Sequence, residues 1–429
     1  MIKSLRAART LSGVVNLPGD KSISHRYAML AAISEGTSVF SGFASSRDCH
    51  STLDCLRALG VEVSVSGDTV AIQGRGLSGL KKSRQVLDAG NSGTTIRLLS
   101  GILAGHPFET AITGDSSLSG RPMGRIIRPL QQMGAVVESR DGGLPPLKIR
   151  GGQLKSVRYT LPVASAQVKS CVLLAGLYAD ATTAVEETIP TRSHTEIALR
   201  EFGATVRISG NWIEVDPNPH LRGQTLRVPG DLSGAAFFLA GAALVPGSEL
   251  LLPGVGLNPS RRTLLDYLVR SGLDLKVLNE REDAGEPRGD LRVRYSPDLL
   301  QSRMPPIQGN DTASMIDEIP VLAVLGAHTA GLEISDAGEL RVKESDRISA
   351  IAANLRAMGA EVSEKPDGLT IQGGQTLQSA DIVTRNDHRI GMAFAVAALA
   401  AKGETRIIDA ECADVSFPGF WETLAGVAR

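Results

Sequence analysis

Leu17-Pro18-Gly19-Asp20-Lys21-Ser22-Ile23-Ser24-His25-Arg26 is the stretch on which the reading of the fold turns. An extended run, Val14, Val15 and Leu17, is broken by Pro-Gly, and a helix of small and apolar residues follows from Tyr27 to Ile33. Asp20, Ser22 and Ser24 are all good helix N-cap types. Lys21 and Arg26 therefore flank the start of a helix, where free backbone N–H groups and the helix dipole already favour an anion. Taken alone, the segment reads equally well as an ordinary strand–turn–helix with solvated charges.

The same pattern then recurs. Asn91-Ser92-Gly93-Thr94-Thr95 opens an apolar helix that ends at Gly105, and Pro162 to Lys169 opens another that runs through Leu177. Pro229-Gly230-Asp231-Leu232-Ser233 opens a fourth, Ile316 to Leu325 forms a fifth, and Asn386-Asp387-His388-Arg389 opens a sixth. Between these openings lie amphipathic helices closed by glycine, such as Leu53 to Gly60, and alternating strand pairs, such as Val61 to Val65 with Thr69 to Gln73. The openings are roughly 70 residues apart, a little longer than the repeats of small solenoids. The match of Pro18-Gly19-Asp20 to Pro229-Gly230-Asp231 relates the two halves of the chain. Two places strain this parse. Asn279 to Asp290 is charged and reads as an exposed loop, and the sixth unit lacks its second helix and strand pair. If the polar openings of several buried helices converge, they form a surface that attracts a polyanion.

Composition excludes several classes of function. The 429 residues carry 45 basic and 46 acidic side chains, so there is no global field for nucleic acid or anionic lipid. No apolar run is long enough to span a bilayer. Met1 to Arg9 lacks the apolar core of a secretory signal. Cys49, Cys55, Cys171 and Cys412 show neither metal-ligand spacing nor a disulfide framework, so they read as reduced structural thiols of a cytoplasmic protein.

Six segments together resemble the 5-enolpyruvylshikimate-3-phosphate synthase family, in the form of its class II branch. They are residues 17–26, Gly90 to Arg97, Arg121-Pro122-Met123-Gly124-Arg125, Ser165-Ala166-Gln167, Arg341 to Arg347 and Asn386 to Arg389. They occur in order along essentially the whole chain. The resemblance implies an α/β fold, a two-lobed inside-out barrel of six βαβαββ repeats, three per lobe. One lobe would be 18–228, mainly binding shikimate-3-phosphate. The other would combine 1–17 with 229–429 and close over phosphoenolpyruvate, with the active site between the lobes.

The resemblance also implies roles for individual residues. Lys21, Ser22, Arg26, Ser165, Ala166, Gln167, Arg192, Asp317 and Lys343 would bind shikimate-3-phosphate. Lys21, Asn91, Gly93, Thr94, Arg121, Gln167, Arg347, His388 and Arg389 would bind phosphoenolpyruvate. Lys21, Asp317 and Glu344 would be catalytic: Lys21 as a proton shuttle, Asp317 accepting the 5-hydroxyl proton, Glu344 exchanging the proton at C3. Clustered cations would make Lys21 a readier proton donor. The chemistry suits the residue types, since guanidinium groups grip carboxylate and phosphate in a bidentate manner. Simpler readings exist for some of them. Lys343, Glu344 and Arg347 have the spacing of an ion-paired helical face, and Arg125 and Arg128, at helical spacing from Arg121, read as solvated. Val415 and Glu339 stand where many or some family members carry Lys and Asn, so no C-terminal site residue is assigned.

The reaction expected is transfer of the enolpyruvyl group, without metal or cofactor, by a monomer. The nearest alternative is UDP-N-acetylglucosamine enolpyruvyl transferase, which carries a cysteine just before its Arg-Pro element; Ser116 to Gly120 has none. A non-catalytic phosphate-sugar binding module would have no use for Asp317 and Glu344. A nucleotide kinase is excluded because Gly19-Asp20-Lys21-Ser22 lacks the upstream glycine of a P-loop.

Overall fold

A computed structural model describes all 429 residues. The chain divides into two compact units. The first comprises Met1–Pro18, Pro229–Glu282 and Pro287–Arg429, and the second comprises Gly19–Val228 together with Asp283–Glu286.

The second unit is built on three helices, Lys21–Ala32, Gly93–Ala104 and Ala166–Gly176. Ten, ten and nine of their residues, respectively, are buried. A helix apolar on nearly all sides must lie inside, and small residues let such helices approach closely. Gly101 illustrates the point: a Cβ there would lie 2.3 Å from the carbonyl oxygen of Cys171, so only glycine permits this crossing. Three four-stranded sheets surround the helices. Each has the same order: a parallel pair followed by two antiparallel neighbours. Thr225–Arg227, the last strand of the unit, pairs in parallel with Thr37–Ser41, its first, and so closes the circuit.

The first unit repeats this plan with inner helices Leu232–Leu244, Ile319–His328 and His388–Ala400. Every residue of Leu232–Leu244 is buried. Its three sheets include two strands from the start of the chain. Ser12–Val14 pairs in parallel with Glu249–Gly256, and Ile2–Arg6 pairs antiparallel with Glu404–Ile408. The second of these corrects the parse of the sixth repeat. Its missing strand lies at the opposite end of the sequence, where no local pattern could reveal it. A second correction concerns Asn279 to Asp290. It is not a loop but part of two nine-residue strands, Leu275–Asp283 and Glu286–Arg294, that neighbour each other in a sheet. Glu286–Arg294 buries alternate residues, which its charges had masked.

Helix starts are set by side-chain caps. Asp20, Ser92 and Ser165 each accept a backbone N–H in the second unit, and Asp231 and Asp387 do so in the first. The related Pro-Gly-Asp segments thus end on the same device, an Asp cap on an inner helix. All four cysteines are buried and unbridged, and burial pushes the Cys49 thiol up to about 12. No helix is long and apolar enough to cross a membrane.

Candidate active site

In the second unit, side chains tie the N-terminal ends of the three inner helices together. Lys21 is the first residue of its helix, and its Nζ lies 2.8 Å from Asp48 Oδ2. Asp48 sits in the first turn of Arg47–Ala58, where the helix dipole favours a carboxylate. Lys21 and Asp48 thus form an ion pair at the helix entry. Arg26 is buried; it donates to Thr195 Oγ1 at 2.6 Å, Ser170 Oγ at 2.8 Å and the Ser22 carbonyl at 2.8 Å. Burial brings Arg26 down to about 10, opposed first by Glu196, with Arg192 among the charges that add to the fall. His25, one residue earlier, is fully buried and bonded through Nδ1 to Thr52 Oγ1 at 2.7 Å. Burial, aided by Lys21 and Arg26, holds His25 well below its usual range and therefore neutral.

The Gly93 and Ala166 helices carry the rest of this set. Arg121 Nη2 donates to Asn91 Oδ1 at 2.8 Å and Ser117 Oγ at 3.0 Å. Arg97 Nη1 donates to Gln167 Oε1 at 2.8 Å, and Gln167 Nε2 reaches Thr94 Oγ1 at 3.0 Å. Ser165 caps its helix by accepting from Val168 N, and Ala166 is the first helical residue. Arg121 precedes the helix Gly124–Gln132 rather than lying on it, so the expected helical spacing to Arg125 and Arg128 does not apply. Both of those arginines are exposed.

In the first unit, three cations surround Asp317. Lys343 Nζ lies 3.6 Å and Arg347 Nη1 3.4 Å from Oδ1, and Arg389 Nη2 lies 3.8 Å from Oδ2. Arg389 Nη1 also donates to the Asp317 carbonyl at 2.8 Å. Arg347 is almost fully buried and meets Asp387 Oδ2 at 2.8 Å and Glu344 Oε2 at 2.5 Å. Burial alone would lower Arg347, but Asp387 and Glu344 more than offset it and hold the group above the usual arginine range. His388 is the buried first residue of its helix, beside Arg389.

The expected ion-paired helical face is corrected here. Lys343 and Glu344 lie outside any helix; Asp346 caps a helix that begins only at Arg347. The spacing mimics a helical face, but the contact is made across a helix entry. Sequence reasoning left several groups without a role. Asp48, Arg97 and Asp387 hold the assigned residues in place. Glu318 is buried, accepts from Ser233 Oγ at 2.5 Å, and lies 3.3 Å from Arg261 and 3.6 Å from Arg389. The adjacent acidic pair Asp317-Glu318 in an apolar opening was the signal for it. No group of three or more His, Cys, Asp or Glu side chains could hold a metal ion.

The sequence profile of the EPSP synthase (3-phosphoshikimate 1-carboxyvinyltransferase) family matches residues 5–424. The chain belongs to the EPSP synthase family. It is 52% identical over 430 residues to the 3-phosphoshikimate 1-carboxyvinyltransferase of Solibacter usitatus, covering 100% of both chains. It is 50% identical to the Pelotomaculum thermopropionicum enzyme of the same name, covering 98% of this chain and 97% of that one. Among solved structures, the EPSP synthase of Acinetobacter baumannii matches with a TM-score of 0.88 at 41% identity, covering 100% of this chain and 98% of that one. The enolpyruvyl transferase NikO of Streptomyces tendae shares only the fold, with a TM-score of 0.78 at 16% identity. Membership of the EPSP synthase family accounts for the repeated plan of both units.

Proposed function

We infer that the chain is a 3-phosphoshikimate 1-carboxyvinyltransferase of the shikimate pathway to aromatic amino acids. It transfers the enolpyruvyl group of phosphoenolpyruvate to the 5-hydroxyl of shikimate-3-phosphate and releases inorganic phosphate. The 5-hydroxyl adds to C2 while C3 gains a proton. The tetrahedral adduct then loses phosphate and a C3 proton. One observation carries the assignment of residues to these steps: the carboxylates Asp317 and Glu344 stand among Lys343, Arg347 and Arg389 at helix entries. A site for two anions needs such cations, and a proton-moving site needs such carboxylates.

In this proposal Asp317 accepts the 5-hydroxyl proton, Glu344 exchanges the C3 proton and Lys21 shuttles a proton. Shikimate-3-phosphate is held by Lys21, Ser22, Arg26, Ser165, Ala166, Gln167, Arg192, Asp317 and Lys343. Phosphoenolpyruvate is held by Lys21, Asn91, Gly93, Thr94, Gln167, Arg121, Arg347, His388 and Arg389. The 19–228 unit mainly serves the first substrate, and the other unit contributes Arg347, His388 and Arg389 to the second. We further propose that the enzyme acts as a monomer in the cytoplasm. The uridine-nucleotide alternative is not favoured, because residues 116–120 contain no cysteine and relatives near 50% identity carry the other name. The direct test is phosphate release from phosphoenolpyruvate. Release that needs shikimate-3-phosphate supports the function; release that ignores it contradicts it.

Glyphosate, the family's phosphoenolpyruvate-competitive inhibitor, probes Gly93. A Cβ at Gly93 would lie 2.6 Å from Arg97 Nη1 and 3.5 Å from Arg121 Nη1. The Arg97 guanidinium must then shift from Gln167. Gly93→Ala is expected to raise the glyphosate inhibition constant. Equal inhibition of both proteins would contradict a role for Gly93 in this subsite.

A further inference from the structure

Lys169 is the one charged residue of the Ala166–Gly176 helix, and it is fully buried. An ammonium taken out of water is costly unless it is paired. Lys169 Nζ lies 2.6 Å from Glu196 Oε1 and 3.0 Å from Glu187 Oε2, and both carboxylates are themselves buried. Neither glutamate belongs to the residues assigned to the reaction.

Each carboxylate leads to a substrate-facing group. Glu187 follows the strand Thr183–Glu186 and accepts, through Oε1, both the backbone N–H of Thr191 at 3.2 Å and the Thr191 hydroxyl. That pair of bonds folds the 188–191 turn back on its base, and the next residue is Arg192. Glu196 lies in the helix His194–Glu201, beside Thr195, whose Oγ1 takes the Arg26 Nε hydrogen bond at 2.6 Å. Ser170, next to Lys169, completes the hold: its Oγ is 2.6 Å from Thr195 Oγ1 and accepts from Arg26 Nη2 at 2.8 Å. The Ala166–Gly176 helix, the residue after Thr183–Glu186 and the His194–Glu201 helix are thus pinned at a single ammonium. Arg26 and Arg192 repel each other as like charges, so a fixed frame is needed to keep both in place before an anion arrives.

We propose that Lys169 is a positioning residue: by bridging Glu187 and Glu196 it sets Arg26 and the Arg192 segment to receive the phosphate-bearing substrate. This rests on the reading that Arg26 and Arg192 hold shikimate-3-phosphate. Lys169 touches no substrate; it acts through the two glutamates. Its loss leaves two buried carboxylates facing each other without a cation, and they push the turn and the helix apart.

The test is a split of kinetic constants. Lys169→Met is expected to raise KM for shikimate-3-phosphate about tenfold or more, the loss of about one good charged hydrogen bond. KM for phosphoenolpyruvate should stay within about twofold of wild type on the same scale. Lys169→Met combined with Glu187→Gln should recover much of the loss, because the amide donates to Glu196 and the like-charge repulsion is gone. Thr191→Val, at a partly exposed position, tests the same chain of contacts without a buried charge change and should raise only the KM for shikimate-3-phosphate. An unchanged value in Thr191→Val overturns the proposal, whether or not Lys169→Met folds. So does an equal rise of both KM values in Lys169→Met, which would mark a general loosening of the unit. Arg26→Ala and Arg192→Ala serve as controls: if neither raises the KM for shikimate-3-phosphate, the underlying reading of the site fails instead.

Discussion

Replacing Lys21 by Met is expected to abolish turnover while leaving the fold intact. Lys21 is the first residue of an inner helix, so its ammonium stands where free N–H groups already favour an anion. Proton transfer by a positioned side chain is worth typically about 10²–10⁴-fold, and loss of a charge-assisted bond to the substrate adds to it. The fold should survive because Asp20 still caps the helix, accepting from Ile23 N at 3.0 Å. Asp48 loses its partner but remains in the first turn of a helix that favours a negative charge. Phosphate release and a circular-dichroism melt of the same preparation check both halves. A near-normal rate, or a rate lost only together with the melt, would contradict the role given to Lys21.

The second large effect concerns stability. Asp387→Ala should destabilise its unit by about 3–5 kcal/mol, the usual cost of breaking a buried ion pair. Asp387 is fully buried; it accepts from Arg347 Nε at 2.8 Å, Ser345 Oγ at 3.0 Å and the Arg389 backbone N–H at 3.0 Å. One substitution thus removes a helix cap and the fully buried partner of a guanidinium with almost no access to water, which keeps only Glu344 and Asp317. Glu344→Gln is the contrast. Glu344 is partly exposed, and its amide substitute can still accept a hydrogen bond from Arg347. It should cost less stability than Asp387→Ala because the hydrogen bond from Arg347 is kept, yet lose turnover. Denaturant unfolding of the two variants beside wild type decides this, and similar destabilisation in both would contradict the division of labour between Asp387 and Glu344.

Legibility from sequence followed the range of the interactions. The six inner helices are readable because their signal is local: a polar opening and an apolar run, with a capping side chain in all but Ile319–His328. Their starts were misjudged by a few residues where polar side chains lie inside the helix, as at Lys21 and Ser22. The closing strand Ile2–Arg6 was not readable, since its partner Glu404–Ile408 lies at the far end of the chain. The charged strands Leu275–Asp283 and Glu286–Arg294 hid a period-two pattern under their surface residues. At the site, long motifs carried the named residues through the family resemblance. The partners Asp48, Glu196 and Asp387 were missed because a buried carboxylate and an exposed one look alike in sequence. Only the fold tells them apart.

The most direct test of the central claim is a crystal structure with shikimate-3-phosphate and glyphosate bound together. The phosphate and ring of the first ligand should contact Lys21, Ser22, Arg26, Ser165 and Gln167, with Asp317 and Lys343 reaching its hydroxyls. The second ligand should contact Arg121, Arg347 and Arg389. Ligands bound away from these residues would contradict the account.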